Sequence, residues 1–277
     1  MATYVISDIH GYFYRFLDCL AKVNFDPRED RLYILGDVAD RGPHSAEMLE
    51  WVYHASSAVK LLRGNHEDLM LGSMGEYESL FSRDYFKDED TLFDFMYNSV
   101  WIAWNGGIQT FDYLLGLPKA NRKNLLDWIN RWPLFYDITV QGRRFILVHA
   151  GLAMNGIRMS DDRYSKGLNV DIEIKDFPVQ HSQSLLWIRD NWILDSSEVP
   201  CDVVFGHTYF GRCCNEIEDL NNWLKEDGKP LIPLKIGDGM CHFGEGLKKH
   251  CIDSGRNKMS ILRLNDMMEF NSDIEEG

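Results

Sequence analysis

Leu32-Tyr33-Ile34-Leu35-Gly36-Asp37-Val38-Ala39-Asp40-Arg41-Gly42 is the stretch that decides the fold. Four apolar residues in a row read as a buried strand, and the run stops on a glycine followed by two carboxylates and an arginine. The same form recurs on both sides. Tyr4-Val5-Ile6 runs into Ser7-Asp8-Ile9-His10-Gly11, and Val59-Lys60-Leu61-Leu62 runs into Arg63-Gly64-Asn65-His66-Glu67. Between the strands lie segments with helical spacing: Phe13, Phe16, Leu17, Leu20 and Val23 in the first, Met48, Leu49, Trp51 and Val52 in the second. This β-α-β-α-β alternation predicts parallel strands joined by crossover helices. The carboxyl ends of such strands open on one crevice, so three polar clusters distant in sequence are expected to meet there.

Further along, Leu92, Phe93, Phe95 and Met96, then Leu125, Leu126, Trp128 and Ile129, predict a helical insertion over residues 68–134 beside that crevice. Residues 135–140 and 143–148 predict a hairpin around Gln141-Gly142, its second strand running into His149-Ala150-Gly151. Residues 184–192 read as a helix, and Val203-Val204-Phe205 as a strand before Gly206-His207-Thr208. Residues 209–250 read mainly as loops, with Ile252 and residues 261–264 as closing strands. The expected organisation is a single catalytic domain over residues 1–270 that contains the insertion, followed by an acidic tail over 271–277 that frays.

The 277 residues carry 29 Lys and Arg against 43 Asp and Glu, a net charge of −14. With 45% hydrophobic and 26% charged residues, disordered and fibrous classes are excluded. The acidic balance excludes broad nucleic-acid or anionic-membrane binding, so any positive field for phosphate chemistry must be local. No run approaches the ~20 apolar residues of a membrane span. The start lacks a basic region and reaches Asp8 early, and the six cysteines show no regular spacing, which together predict a cytoplasmic protein.

Asp8, His10, Asp37, Asn65, His149 and His207 all follow predicted strands. Carboxylate, imidazole and amide donors without a thiolate favour manganese, iron or zinc in an open, reactive site. The set is too large for one ion that keeps an open position, and suffices for two if Asp37 bridges them. Glycines adjoining these residues, among them Gly36, Gly64 and Gly206, fit a chain that turns sharply out of each strand.

In order, Asp8-Ile9-His10-Gly11, Gly36-Asp37-Val38-Ala39-Asp40-Arg41-Gly42, Leu62-Arg63-Gly64-Asn65-His66-Glu67, His149-Ala150-Gly151 and Gly206-His207-Thr208 resemble the successive motifs of the metallophosphoesterase superfamily. More narrowly they resemble its phosphoprotein phosphatase family, in the compact bacterial or phage form, with Ile252-Asp253-Ser254-Gly255 as an extension. The resemblance implies an α/β fold: a four-layer β-sandwich of two mixed sheets flanked by helices. It implies two divalent ions, manganese first and iron or zinc otherwise. Asp8 and His10 would hold one, Asn65, His149 and His207 the other, and Asp37 would bridge. A hydroxide shared by the ions would attack phosphorus directly, with His66 as general acid oriented by Asp40, and with Arg41 and Arg189 gripping phosphate oxygens.

Three functions follow from the resemblance. The first is hydrolysis of phosphoserine or phosphothreonine, favoured by Asp40 before Arg41 and by Glu67, since the tetraphosphatase branch commonly lacks the first acid and has Asp at the second. The alternative is a symmetrical diadenosine tetraphosphatase, a pyrophosphohydrolase. The third is an inactive binding module, disfavoured by the intact ligand set. The partner is then a phosphorylated protein or small phosphate ester, with no nucleic acid and no membrane.

Other features are read structurally. Asn105-Gly106-Gly107 with Thr110, after Trp101 and Trp104, resembles a segment of the bacterial branch that would touch substrate, and fits a turn between helices as well. Phe93, Phe95, Tyr97, Trp101, Trp104 and Phe111 read as core. Cys213, Cys214, Cys241, His242, His250 and Cys251 match none of the paired spacings of zinc sites, so no site is expected there.

Overall fold

A computed structural model describes residues 1–81, 89–155, 170–224 and 230–276. The predicted alternation is present as β1 (Thr3–Ile6), α1 (Phe13–Lys22), β2 (Arg31–Ile34), α2 (Ser45–His54) and β3 (Val59–Leu61), with β1, β2 and β3 parallel. The insertion supplies α3 (Asn65–Phe81), α4 (Glu89–Asn98), a π-helical turn (Val100–Trp104), α5 (Ile108–Gly116) and α6 (Lys119–Ile129). The hairpin is β4 (Phe135–Val140) and β5 (Arg143–Val148), its two-residue turn made by Gln141 (φ 51°) and Gly142 (φ 81°) as a primed turn requires. A small pair, β6 (Asp171–Ile172) and β7 (Gln180–His181), precedes α7 (Ser182–Trp187), α8 (Asp190–Ile193) and β8 (Asp202–Phe205).

The expected helix over 184–192 is two short helices. Ile188 is extended (φ −61°, ψ 139°), and the break turns Arg189 so that its Nη1 donates to the His207 carbonyl at 2.8 Å and to Thr208 Oγ1 at 3.0 Å. The expected loops over 209–250 contain α9 (Phe210–Trp223), β9 (Leu234–Ile236), β10 (Cys241–Phe243) and β11 (Lys249–Cys251). The apolar stripe of α9 rests on Cys213, Cys214 and Ile217 among polar residues, and the three strands are three residues each, too short to alternate visibly. β12 (Ser260–Arg263) and β13 (Met268–Asn271) close the fold.

The tail does not fray through residue 276. The Asp273 amide donates to Asp18 at 2.8 Å, and Glu276 accepts from the amides of Tyr14 and Arg15 at the start of α1. An acidic side chain is favourable against those exposed helix N–H groups.

Two mixed sheets result, in the orders β13-β12-β1-β2-β3 and β4-β5-β8-β11-β10-β9. Val5, Leu35, Leu62, Phe145, Leu147, Val204, Ile252 and Leu262 fill the space between them. The first sheet's outer face packs on α1, α2 and the insertion, and the second's on α7, α8 and α9. Each sheet has a parallel trio: β1, β2 and β3, the last of them at the edge of the first sheet, and β5, β8 and β11 inside the second. The carboxyl ends of all six strands meet at one edge of the sandwich.

The aromatic residues of the insertion divide. Phe95, Trp101 and Phe111 are buried, whereas Phe93, Tyr97 and Trp104 are exposed. Phe93 and Tyr97, four apart on α4, share its solvent face with their rings stacked.

Candidate metal centre

The six strand ends deliver Asp8, Asp37, Asn65, His149, His207 and Asp253, and the turn after β1 adds His10. All the residues expected at the site come together. Asn65 Oδ1 lies 2.8 Å from both His149 Nε2 and His207 Nδ1. Asp37 Oδ1 lies 3.5 Å from His149 Nε2, and Asp37 Oδ2 lies 3.6 Å from His10 Nε2. His10 Nε2 is 3.9 Å from Asp8 Oδ1, and the His207 amide donates to Asp8 Oδ2 at 2.9 Å. Asp37 thus stands between the two halves of the set.

The backbone is strained to achieve this. Among the described residues, eleven other than glycine have positive φ, and six of them are Asp8 (53°), His10 (48°), Asp37 (52°), Asp40 (73°), Arg41 (66°) and His207 (65°). Such strain persists only where surrounding contacts over-determine it, and it gathers at functional sites. Glu67 supplies part of that restraint, accepting from the amides of Asp37, Val38 and Gly64 at 2.7–2.9 Å. Gly64 and Gly206 are required by close approach. A Cβ on Gly64 would lie 2.2 Å from Asp37 Oδ1, and one on Gly206 would lie 2.1 Å from Asp8 Oδ2.

Hydrogen bonds fix the imidazole tautomers. His149 Nδ1 is 2.7 Å from the Leu35 carbonyl and His10 Nδ1 is 3.2 Å from the Ala39 carbonyl, so in each ring Nδ1 carries the proton and Nε2 is bare. Burial lowers the basicity of His10, His66, His149 and His207, which keeps the rings neutral, the form that binds metal. With Asn65 oriented as it is here, the bare Nε2 of His149 faces its amide oxygen: two lone-pair donors point at one spot. Burial, then the charge of Asp8, raises Asp37 and Asp253 well above the usual carboxylate range. Converging lone pairs and mutually repelling buried carboxylates are the environment that divalent cations satisfy, so the donor set fits a metal centre. Asp8, Asp37 and His149 form one group that could hold an ion, and His10, Asp37 and His66 another.

Around this set, His66 Nδ1 meets Asp40 Oδ2 at 2.7 Å, and Arg41 reaches His10 Nε2 and His66 Nε2 at 2.7 Å each. Burial pushes Asp40 up to about 7, while donors from Thr110 and Trp101 pull it back. Trp101 Nε1 reaches Oδ2 at 2.7 Å and Thr110 Oγ1 reaches Oδ1 at 2.6 Å. Every group facing these oxygens is a donor, which suits a carboxylate. Trp101, read as core, is a site residue that the sequence did not reveal, and Asn105-Gly106-Gly107 with Thr110 is more than a turn. The Arg41 amide donates to the Gly106 carbonyl at 3.0 Å, and Asn105 lines the cleft. Asp253 was also missed as a site residue: the strand before it, Lys249-His250-Cys251, is not an apolar run like those before the others.

The cleft over the cluster encloses about 760 Å³. Tyr12, Trp187, Tyr209 and Phe210 line it together with Arg41, Arg189, Arg256 and Lys258.

The calcineurin-like phosphoesterase family model matches residues 1–232. A symmetrical bis(5'-nucleosyl)-tetraphosphatase of Proteus mirabilis is 26% identical over 200 residues, covering 72% of this chain and 63% of that protein. One from Chromobacterium violaceum is 34% identical over 152 residues, covering 55% of this chain and 44% of that protein. The chain thus spans about half the length of these curated relatives. A crystal structure carrying the provisional name diadenosine tetraphosphatase superposes with a TM-score of 0.50 at 18% identity, covering 98% of this chain and 92% of that one. That likeness is one of fold. No helix among the described residues is long and apolar enough to cross a membrane.

Proposed function

The chain belongs to the calcineurin-like phosphoesterase family, and on that premise we propose that it hydrolyses dinucleoside polyphosphates at a dinuclear centre held by Asp8, His10, Asp37, Asn65, His149 and His207. The cleft carries this reading. Flat aromatic walls suit nucleobases, and four cations spread along one cavity suit a polyphosphate chain. The tetraphosphatase names of the relatives support the same substrate class. This reverses the order expected from the motifs, in which phosphoserine and phosphothreonine came first.

Two divalent ions bound there would supply a water ionised near neutral pH and neutralise phosphate charge; manganese, iron and zinc all suit these donors. The chain's own groups do the rest. Arg41 lies between His10 and His66 and can exchange its imidazole partners for phosphate oxygens. Arg189, anchored through Nη1 on the His207–Thr208 turn, lines the cleft. His66, with Nδ1 held by Asp40, turns Nε2 toward the reacting side; burial leaves that nitrogen bare in the free protein, and a proton taken up there beside the anionic substrate can pass to the leaving oxygen.

That same Asp40–His66 pair favours a second reading, because an alkoxide leaving from phosphoserine needs a proton far more than a nucleotide phosphate does. Kinetics on diadenosine tetraphosphate, a phosphoserine peptide and a mononucleotide, side by side with manganese, separate the two. Tetraphosphate preferred by at least about tenfold in kcat/KM, with ADP as product, is the expected result. Preference for the peptide establishes the second reading. No metal binding and no turnover would leave an inactive binding module.

A further inference from the structure

Behind the catalytic cluster, four cysteines converge from three elements. Cys241 of β10 stands opposite Cys251 of β11 in antiparallel register, and strand alternation turns both toward α9, which contributes Cys213 and Cys214. His242 and His250 face the other way, their Nδ1 atoms 2.8 Å apart and His250 Nε2 on Asp202, so the six Cys and His residues of this region form two separate groups. The sulfurs of Cys213, Cys241 and Cys251 all lie within 4.8 Å of one another, with those of Cys213 and Cys251 at 3.5 Å. Cys214, next to Cys213 on α9, lies near enough to Cys241 to act on its thiol. All four residues are buried.

We propose that Cys213, Cys241 and Cys251, with Cys214 as the fourth ligand, form a second metal site that holds one zinc ion. Tetrahedral zinc, with Zn–S bonds of ~2.3 Å, sets its sulfurs ~3.8 Å apart; the Cys213 and Cys251 sulfurs stand at 3.5 Å with that of Cys241 within 4.8 Å of both, whereas a disulfide requires ~2.0 Å. A sulfur-only donor set selects zinc over the harder ions suited to the nitrogen and oxygen donors next door. Arg189 and Arg212 lie near enough to act on the Cys213 sulfur and offset the negative charge of a thiolate cluster. As the ion binds, each thiol gives its proton to solvent, and nothing is oxidised or reduced. Cys251 and Cys213 now donate to the Thr208 carbonyl at 2.9 and 3.5 Å, bonds that sulfur–zinc bonds replace. The ion ties α9, β10 and β11 together directly behind His207.

The test uses the full chain grown with zinc, in wild-type form and as Asp37→Asn, which disables the catalytic centre. Elemental analysis after dialysis against a mild chelator is expected to leave one zinc per chain in both, released only by a mercurial thiol reagent. Wild-type protein loaded with cobalt is expected to show intense thiolate-to-cobalt absorption in the near ultraviolet, a readout that needs no variant to fold. Cys241→Ser and Cys251→Ser lose both zinc and band. Wild-type protein without zinc or band, zinc retained in Cys241→Ser, or a Cys213–Cys251 disulfide in peptide mass maps overturns the site.

Discussion

Thr110 places its hydroxyl 2.6 Å from Oδ1 of Asp40, from the first turn of α5 in the insertion. Together with Trp101 Nε1 at 2.7 Å from Oδ2, it makes the insertion a structural part of the acid pair, because Asp40 Oδ2 also holds His66 Nδ1. Thr110→Val keeps the shape and removes one donor. A hydrogen bond to a charged acceptor is worth about 1.5–3 kcal/mol, so if about half of that reaches the transition state, kcat on an alkyl phosphate falls about three- to tenfold. The melting temperature should move by only a few degrees. Unchanged kcat would show that Trp101 alone orients Asp40.

Removing His66 itself should separate substrates by leaving group. His66→Asn is expected to lower kcat by about 10²–10⁴ on an alkyl phosphate and much less on p-nitrophenyl phosphate, whose leaving group needs no proton. Equal losses on both would count against proton donation from Nε2.

Asp37 stands between the two halves of the ligand set, and it is repelled there by Asp8 and Asp253. Asp37→Ala should therefore abolish metal binding and turnover together, as measured by elemental analysis and kinetics. It should also raise the melting temperature of metal-free protein while abolishing the stabilisation that manganese gives the wild type. An active, fully metallated variant would refute the bridging role.

The site was legible where the sequence changes character abruptly. Each apolar run that ends on Asp, Asn or His beside a glycine marks a strand end, and parallel topology brings those ends to one edge. Asp253 lacks that mark, since Lys249 and His250 break the apolar run before it and its neighbours, Ile252 and Ser254, are not glycine. Less visible were contacts made by residues that also suit a core. Trp101 reads as buried aromatic mass, and no pattern reveals that its indole N–H meets a carboxylate. The break at Ile188–Arg189 has no glycine or proline to announce it, since the contacts of Arg189 with the His207–Thr208 turn impose it from a distance. α9 was hidden because its inward stripe is partly cysteine and asparagine, and Asn221 is buried only because it bonds both backbone groups of Ile232. Pattern finds a site whose residues are chemically conspicuous, and misses those whose role depends on what the fold sets opposite them.

Lys249 offers a test of the fold that is independent of catalysis. Its ammonium is buried in β11, donating to the carbonyls of Trp192 at 3.1 Å and Asp195 at 2.6 Å and lying 4.1 Å from the Trp192 ring centroid. Burial pulls its pKa from 10.5 down to about 8, against a weaker pull upward from Asp195. Between those values the folded chain has already released a proton that the unfolded chain still binds, so stability from this group rises with pH across that window. Below pH 8 the full penalty of the buried charge applies, and above 10.5 it is gone. A shift of this size corresponds to about 3 kcal/mol. Lys249→Met lacks the titration, and cysteine and tyrosine ionisations common to both proteins cancel in the comparison. Urea unfolding from pH 7.5 to 10.5, approximate bounds set by those pKa values, should show the wild type gaining on the variant by up to about 3 kcal/mol. Parallel stability curves would show that the lysine keeps its proton in the fold, held by the two carbonyls and the indole face.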